Sequence, residues 1–318
     1  MYVVQSFCHS LVAAVLVDRA LKAWKILDPL IKQRFRLIVI LFPIFSFPLY
    51  QLVNPARSSV LFREAALFDS GRWLALELGW GIPLSALFFA MLGATSLLFI
   101  FQELVPVLRH TVTSKHEGNE GSFSGADTFV SEAATALAIH KPEMALIDEE
   151  EPFLFSTTGR EPVIYLSSGL TRKLSDKELR ASIAHELAHI SRSRRPLLIA
   201  LFLFRIVQFF NPVVLVKYRK AVRDEEKICD DIAVTLTNDR QALAGALKNF
   251  CQIPQKEHVL SSLQSESSTM SLEEYSHNLH LGSRISRLET QEATHAPGPV
   301  LPFVLTLSAV VIVNYLIV

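Results

Sequence analysis

The sequence predicts a mainly α-helical integral membrane protein, with about four transmembrane helices and one cytoplasmic α+β domain. Three observations predict it. Half of the 318 residues are hydrophobic and only 19% are charged, with a positive mean hydropathy, which is too apolar for an ordinary soluble domain of this length. Four apolar runs, at about 2–17, 37–53, 80–102 and 300–318, approach the roughly 20 residues that a helix needs to cross a bilayer. Between the third and fourth runs lies a longer, more polar stretch that reads as a short helix, three successive short strands and then amphipathic helices.

Each run has its own signature. The first, at sixteen residues, is short for a span and ends at Asp18-Arg19. A signal peptide is the rival reading, but its positive charges follow the apolar run and no small-residue cleavage site is evident. The second is broken by Pro43 and Pro48, which membrane helices tolerate when neighbours cover the freed backbone groups. The third carries Gly93, Ala94 and Ser96 as a small-residue packing face. The fourth runs to the last residue given, Val318.

Lysine and arginine set the orientation. The first connection carries Arg19, Lys22, Lys25, Lys32, Arg34 and Arg36, against Arg57, Arg63 and Arg72 in the second. The richer connection is expected in the cytoplasm, with both termini outside and residues after the third run back in the cytoplasm. An integral membrane location is expected. The net charge is zero, so no direct nucleic-acid partner is expected. Cys8, Cys229 and Cys251 are too few and too scattered for a disulfide framework.

Within the polar stretch, residues 109–126 read as a mobile linker rich in Gly, Ser, Thr and charge. Residues 127–141 read as a short helix, and 144–147, 152–156 and 162–166 as short strands, with a turn at Thr158-Gly159. Ser175, three residues before Glu178, forms a capping box that opens a helix. Leu179, Ile183, Leu187 and Ile190 then recur at helical spacing.

That helix contains His185-Glu186-Leu187-Ala188-His189. Histidines four apart lie one above the other on a helix face, so both rings reach one metal ion, and the glutamate between them is placed to act as a general base on a water. The arrangement is that of a zinc peptidase; an amphipathic helix with two incidental histidines is the competing reading. Zinc bound by two histidines needs a third protein ligand and an open position. The acidic run Arg223-Asp224-Glu225-Glu226-Lys227-Ile228-Cys229-Asp230-Asp231 supplies candidates. Glu226 and Asp230 share a helix face, so one carboxylate can bind metal while the other orients a histidine ring. Glu225 competes with Glu226 as ligand, and a solvated acidic face competes with both. Cys229 reads as a small buried packing residue rather than a ligand. His277, His280 and His295 lack partners at ligand spacing and read as exposed.

His185-Glu186-x-x-His189 followed by Glu226-x-x-Cys229-Asp230 resembles the gluzincin pattern of two groups of membrane metallopeptidases, the BlaR/MecR-type antibiotic-sensor peptidases and, more distantly, the HtpX/CAAX-protease group. Phe209-Phe210-Asn211-Pro212 is similar to the "W-F-N-P" turn of the first group, and the run from Phe155 to Leu166 to the strand segment before its zinc helix. Where many relatives carry Asp soon after the second His, this chain reads Ser191-Arg192-Ser193-Arg194-Arg195, which sets it apart from the HtpX group. The resemblance covers about residues 145–240. It implies a zinc metalloendopeptidase with His185, His189 and Glu226 as ligands, Glu186 as catalytic base and Asp230 in support.

If Glu226 joins the histidines, the apolar stretch 196–217 cannot cross the membrane between them. It is expected to form a hairpin dipping into the interface, with Asn211-Pro212 at its turn and Arg192, Arg194 and Arg195 near the anionic leaflet. The expected organisation is a transmembrane region at 1–108, a linker at 109–126, the cytoplasmic peptidase domain at 127–253 with the membrane-associated hairpin 196–217, a partly helical polar linker at 254–299 and a last transmembrane helix at 300–318. Residues 162–166 are the candidate strand edge for an extended substrate, and Arg284 and Arg287 are candidate oxyanion donors. The chain is expected to lack the extracellular C-terminal sensor of the BlaR/MecR type. Expected partners are a protein or peptide substrate, membrane lipid and a separate sensor or repressor protein, with a homodimer as a further option. The task implied is regulatory proteolysis of a repressor-type target; the alternatives are membrane-protein quality control of the HtpX type and a non-catalytic signal transducer, against which the intact Glu186 argues.

Overall fold

The computed structural model describes residues 2–66, 68–78, 81–104, 120–122, 126–157, 161–193, 196–251, 272–290 and 300–317. In chain order the principal helices are α1 (Tyr2–Ala23), α2 (Pro29–Val53), α3 (Leu84–Phe99), α4 (Asp127–Ala136), α5 (Ser168–Lys173), α6 (Asp176–Ser193), α7 (Pro196–Val207), α8 (Pro212–Thr237), α9 (Arg240–Cys251), α10 (Leu272–Glu289) and α11 (Val300–Tyr315). The strands of one sheet are β1 (Glu120–Ser122), β2 (Glu143–Ile147), β3 (Leu154–Ser156) and β4 (Val163–Ser167). The chain divides into two compact units. One holds residues 1–115, 197–225 and 294–318, and the other 116–196 and 226–293. Helix α8 gives its first half to one and its second half to the other.

The first unit is the membrane part. Three helices, Tyr2–Ala23, Pro29–Val53 and Leu84–Gln102, are long and apolar enough to cross a bilayer, and α11 is a shorter apolar helix of 16 residues. The protein is thus a mainly helical membrane protein with a small mixed sheet. Both N-terminal helices outrun their apolar runs. Arg19 and Lys22 fall inside α1, and Lys32, Arg34 and Arg36 inside α2. The basic connection expected from the sequence therefore shrinks to a tight turn at residues 24–28. Long basic side chains are good helix formers and can carry their charge out of an apolar layer. Asp28 caps α2 by accepting from the Leu30 and Ile31 amides at 2.8 and 3.1 Å.

The α7–α8 hairpin turns at residues 208–211, and the polar residues at its tip are covered by protein. Arg205, Gln208 and Asn211 are fully buried. Gln208 accepts from the Ser6 hydroxyl at 3.1 Å and donates to the Ile40 carbonyl at 2.8 Å, one turn before Pro43 inside α2. Asn211 donates to Ser10 at 3.1 Å and caps α8 through the Val213 amide at 3.1 Å. Ile40 lies about 16 Å along α2 from Pro29, at 1.5 Å per residue. The polar residues that interrupt the apolar run pair with α1 and α2, which draws the tip inward because buried polar groups need partners.

The second unit is built on the sheet, in the order β1-β2-β4-β3. β2 and β4 pair in parallel, with Met144 opposite Ile164 and Leu146 opposite Leu166, and the outer pairs are antiparallel. β1 falls within the stretch read as a linker; the rest of that stretch up to residue 125 that follows the first unit's helices lies outside the described residues from 105 to 119 and 123 to 125. β4 is not the edge expected from the sequence, because it has a partner on each side. The edge beyond it is β3. Against the sheet packs α6, whose Leu179, Ile183, Leu187 and Ile190 are all buried with Ile164, Leu166 and Val130. A second stripe of α6, Ala181 and Ala184, packs on Ala242, Leu243 and Leu247 of α9 and on Leu281 and Leu288 of α10. The capping box forms as predicted, with the Glu178 carboxylate accepting from the Ser175 amide at 2.9 Å. Residues 158–160, 194–195, 252–271 and 291–299, which include the Thr158-Gly159 turn, Arg194, Arg195 and His295, lie outside the described residues.

Candidate metal centre and active site

Two helices supply the site, each through an i, i+4 pair. α6 presents His185 and His189, and α8 presents Glu226 and Asp230. The ring nitrogens His185 Nε2 and His189 Nε2 are 3.0 Å apart. Glu226 Oε2 is 3.6 Å from His185 Nε2, and Glu226 Oε1 is 3.6 Å from His189 Nε2. These residues form a group whose ligand atoms all lie within 4.8 Å of one another. Glu225, the competing ligand, is buried in the other unit and accepts a hydrogen bond from Gln33 Nε2 at 2.8 Å.

The group fits a divalent metal. Ligands at about 2.0–2.1 Å in a tetrahedron stand about 3.3 Å from one another, and the three separations here bracket that value. Two imidazoles and one carboxylate are the donor set of a catalytic zinc site that keeps a fourth position open.

Around these three residues is a shell that holds their other atoms. His185 Nδ1 is 3.2 Å from Asp230 Oδ1, in close charge contact but off the line of a good hydrogen bond, since the nitrogen has no aligned acceptor. Asp230 is fully buried and is gripped by Arg284, Nε to Oδ2 at 2.8 Å and Nη2 to Oδ1 at 2.7 Å. Arg284 Nη1 also donates to Glu226 Oε2 at 3.0 Å. His189 Nδ1 faces Cys229 Sγ at 3.5 Å. Glu186 accepts from the Ser156 hydroxyl of β3 at 2.7 Å, which ties the carboxylate to the edge strand.

The electrostatics follow from this crowding. Burial pushes the His185 imidazolium toward losing its proton, but the Asp230 and Glu226 carboxylates outweigh it and carry its pKa up to about 9, with Arg284 opposing. His189 is pushed down, by burial first and then by the charge on His185, against the pull of Glu226 and Glu186. For Glu226, burial favours the neutral acid, yet the close contact with His185 and the charges of His189 and Arg284 hold it down at about 2. Asp230 is likewise held far below the usual carboxylate range, because the contacts with His185 and Arg284 overcome its burial.

Sequence reasoning reached His185, Glu186, His189, Glu226 and Asp230, and the fold brings these five together. Arg284, entertained as an oxyanion donor, instead bonds Asp230 and Glu226. Arg287 bonds Asp231 at 2.7 Å and the Lys227 carbonyl at 3.2 Å rather than any of the three ligands. Cys229, read from the sequence as a small buried packing residue rather than a ligand, is buried and touches His189. Ser156 was missed as a neighbour of the site, and the sequence carried no signal for it.

The family described as BlaR1 peptidase M56 matches residues 94–274, more than half of the chain. Proteins named "Protease HtpX homolog" from Burkholderia mallei (strain SAVP1), Burkholderia pseudomallei (strain 668) and Burkholderia thailandensis are each 42% identical over 64 residues, 19% of this chain and 22% of theirs. The chain thus spans about a fifth of the length of these curated relatives. A family match across the zinc-peptidase motif, the acidic helix and the sheet before them places this chain in the BlaR1 peptidase M56 family.

Proposed function

We propose that this protein is a zinc-dependent endopeptidase embedded in the membrane, cutting a protein substrate at the cytoplasmic face. The observation that carries the reading is the convergence of His185, His189 and Glu226, with Glu186 between the histidines. Bound there, zinc supplies a Lewis acid for the scissile carbonyl and an acidified water.

The chain's own residues do the rest. His185, His189 and Glu226 would hold the metal, the two histidines as neutral imidazoles. Asp230 fixes the ring of His185 and Arg284 fixes Asp230, so ligand orientation is built in before substrate arrives. Glu186 takes the proton of the attacking water and passes it to the leaving amine nitrogen. The Ser156 hydroxyl keeps the Glu186 carboxylate in place for both transfers. Extended substrate adds to the outer edge of β3, whose backbone pairs with β4 on its other side only. That edge and the base are joined through Ser156, so a peptide registered on β3 meets Glu186 directly.

The target favoured by the family is a regulatory protein of the repressor type, whose loss relays a signal. The local identity with HtpX homologues favours a second reading, quality control of membrane proteins. Glu186→Gln tests the chemistry: zinc content is expected to stay at the native level while cleavage is lost, and a variant that still processes its target sinks the enzyme reading. Comparing fragments in membranes carrying native and Glu186→Gln protein tests the target. One repressor-like fragment supports signalling, and many membrane-protein fragments support quality control.

A further inference from the structure

Within the membrane unit, α2 and α11 flank a lateral groove of about 510 Å³. Its walls include Phe35, Phe42 and Phe45 of α2 and Phe303 and Leu307 of α11, and its one charged lining residue is Arg34. The Phe35 and Phe303 rings meet edge to face at 5.3 Å. Arg34 sits toward the end where both helices begin, and Phe45 and Leu307 mark the other end. Arg34 is exposed and has no hydrogen bond or ion pair among the described residues. Its neighbour Arg36, by contrast, donates to the Lys220 carbonyl at 3.0 Å and pairs with Asp224.

We propose that the groove binds an anionic phospholipid, with one acyl chain in the cleft and the phosphate on Arg34. The length and lining of the groove argue for an acyl chain. Residues 31 to 45 of α2 span about 21 Å at 1.5 Å per residue, about the length of an extended acyl chain, and every lining residue except Arg34 is apolar. The charge argues for an anion. A guanidinium with no partner among the described residues, at the polar end of an apolar cleft, matches a phosphate with two parallel N–H donors. A neutral lipid satisfies the cleft but offers Arg34 no net charge.

The test uses the full chain in nanodiscs of equal phosphatidylglycerol and phosphatidylethanolamine, with retained lipid identified by native mass spectrometry after transfer to detergent. The native protein is expected to retain about one phosphatidylglycerol per chain, preferred about tenfold. Arg34→Gln is expected to keep a lipid but lose the preference, and Leu307→Trp, which fills the cleft, to lose the lipid with its zinc content unchanged. An undiminished preference in Arg34→Gln overturns the proposal, and because Arg34 is exposed that arm decides even if Leu307→Trp is unstable. A native protein that retains no lipid, or a dimer that Leu307→Trp dissociates, also overturns it and assigns the cleft to something other than lipid.

Discussion

Arg284 grips the buried Asp230 carboxylate with two hydrogen bonds, at 2.8 and 2.7 Å, while Asp230 lies 3.2 Å from the Nδ1 of His185. A residue on α10 thereby sets the orientation of a ring on α6 through a carboxylate on α8. Replacing Arg284 by Met leaves a buried carboxylate without its strongest partner, which costs about 3–5 kcal/mol when one side of a buried pair is removed. The expected outcome is a marked drop in thermal stability and a loss of zinc affinity of about 10–100-fold, read by chelator competition. Arg284→Lys keeps the charge but not the two-pronged geometry, so it should recover stability more than zinc affinity. Native zinc affinity in Arg284→Met would show that Asp230 needs no such support.

The two adjacent glutamates should separate cleanly. Glu226→Ala removes a group in contact with both histidines and is expected to strip the zinc. Glu225→Ala removes an acceptor for Gln33 and is expected to keep the zinc while lowering stability by about 1–3 kcal/mol, the cost of orphaning a buried donor. Metal analysis of the two purified variants decides, and equal zinc retention refutes the assignment of Glu226.

Ser156→Ala tests the link between the edge strand and the base. It removes a hydrogen bond to the Glu186 carboxylate without touching a ligand. Zinc content should be unchanged and kcat should fall about three- to tenfold, less than for Glu186→Gln, because water can replace a hydroxyl partner. A change confined to KM would place Ser156 in substrate binding instead.

The pH dependence of the metal-free protein has a definite sign. The pKa of His185 is raised from 6.5 to about 9, so its contribution to stability is complete below about 6.5 and is lost as pH rises through about 9. The pKa of Glu226 is lowered from 4.5 to about 2, so its contribution is present above about 4.5 and is lost as pH falls toward 2. Protein stripped of metal should therefore melt at a lower temperature at pH 9.5 than at pH 6. With zinc the trend should reverse, because metal must displace the His185 proton and binds more tightly as pH rises. Melting curves with and without chelator at the two pH values check both signs.

Much of the site was legible because it is local. His185 and His189, Glu226 and Asp230, and the stripe Leu179, Ile183, Leu187 and Ile190 each declare themselves through helical spacing within one element. What escaped was non-local. Arg284 reaches Asp230 from 54 residues downstream, and no spacing rule links them. Strand order is likewise not written in any single segment: 162–166 has the composition of a strand, but its neighbours make it an interior one. The hairpin tip follows the same logic, since the partners of Gln208 and Asn211 are Ser6 and Ser10, 202 and 201 residues away.

Among the described residues β3 is three residues long, about 10 Å of backbone, with single hydrogen bonds to β4 continuing at Phe153 and Thr157. So little edge gives a weak grip and cannot peel a strand from a folded partner. If substrate adds to this edge as proposed, the edge would read backbone geometry more than side-chain identity and would accept only a stretch of target that is already unfolded. Selection would then fall on disorder in the target, so that a tail or interdomain linker is cut while the packed domains beside it survive.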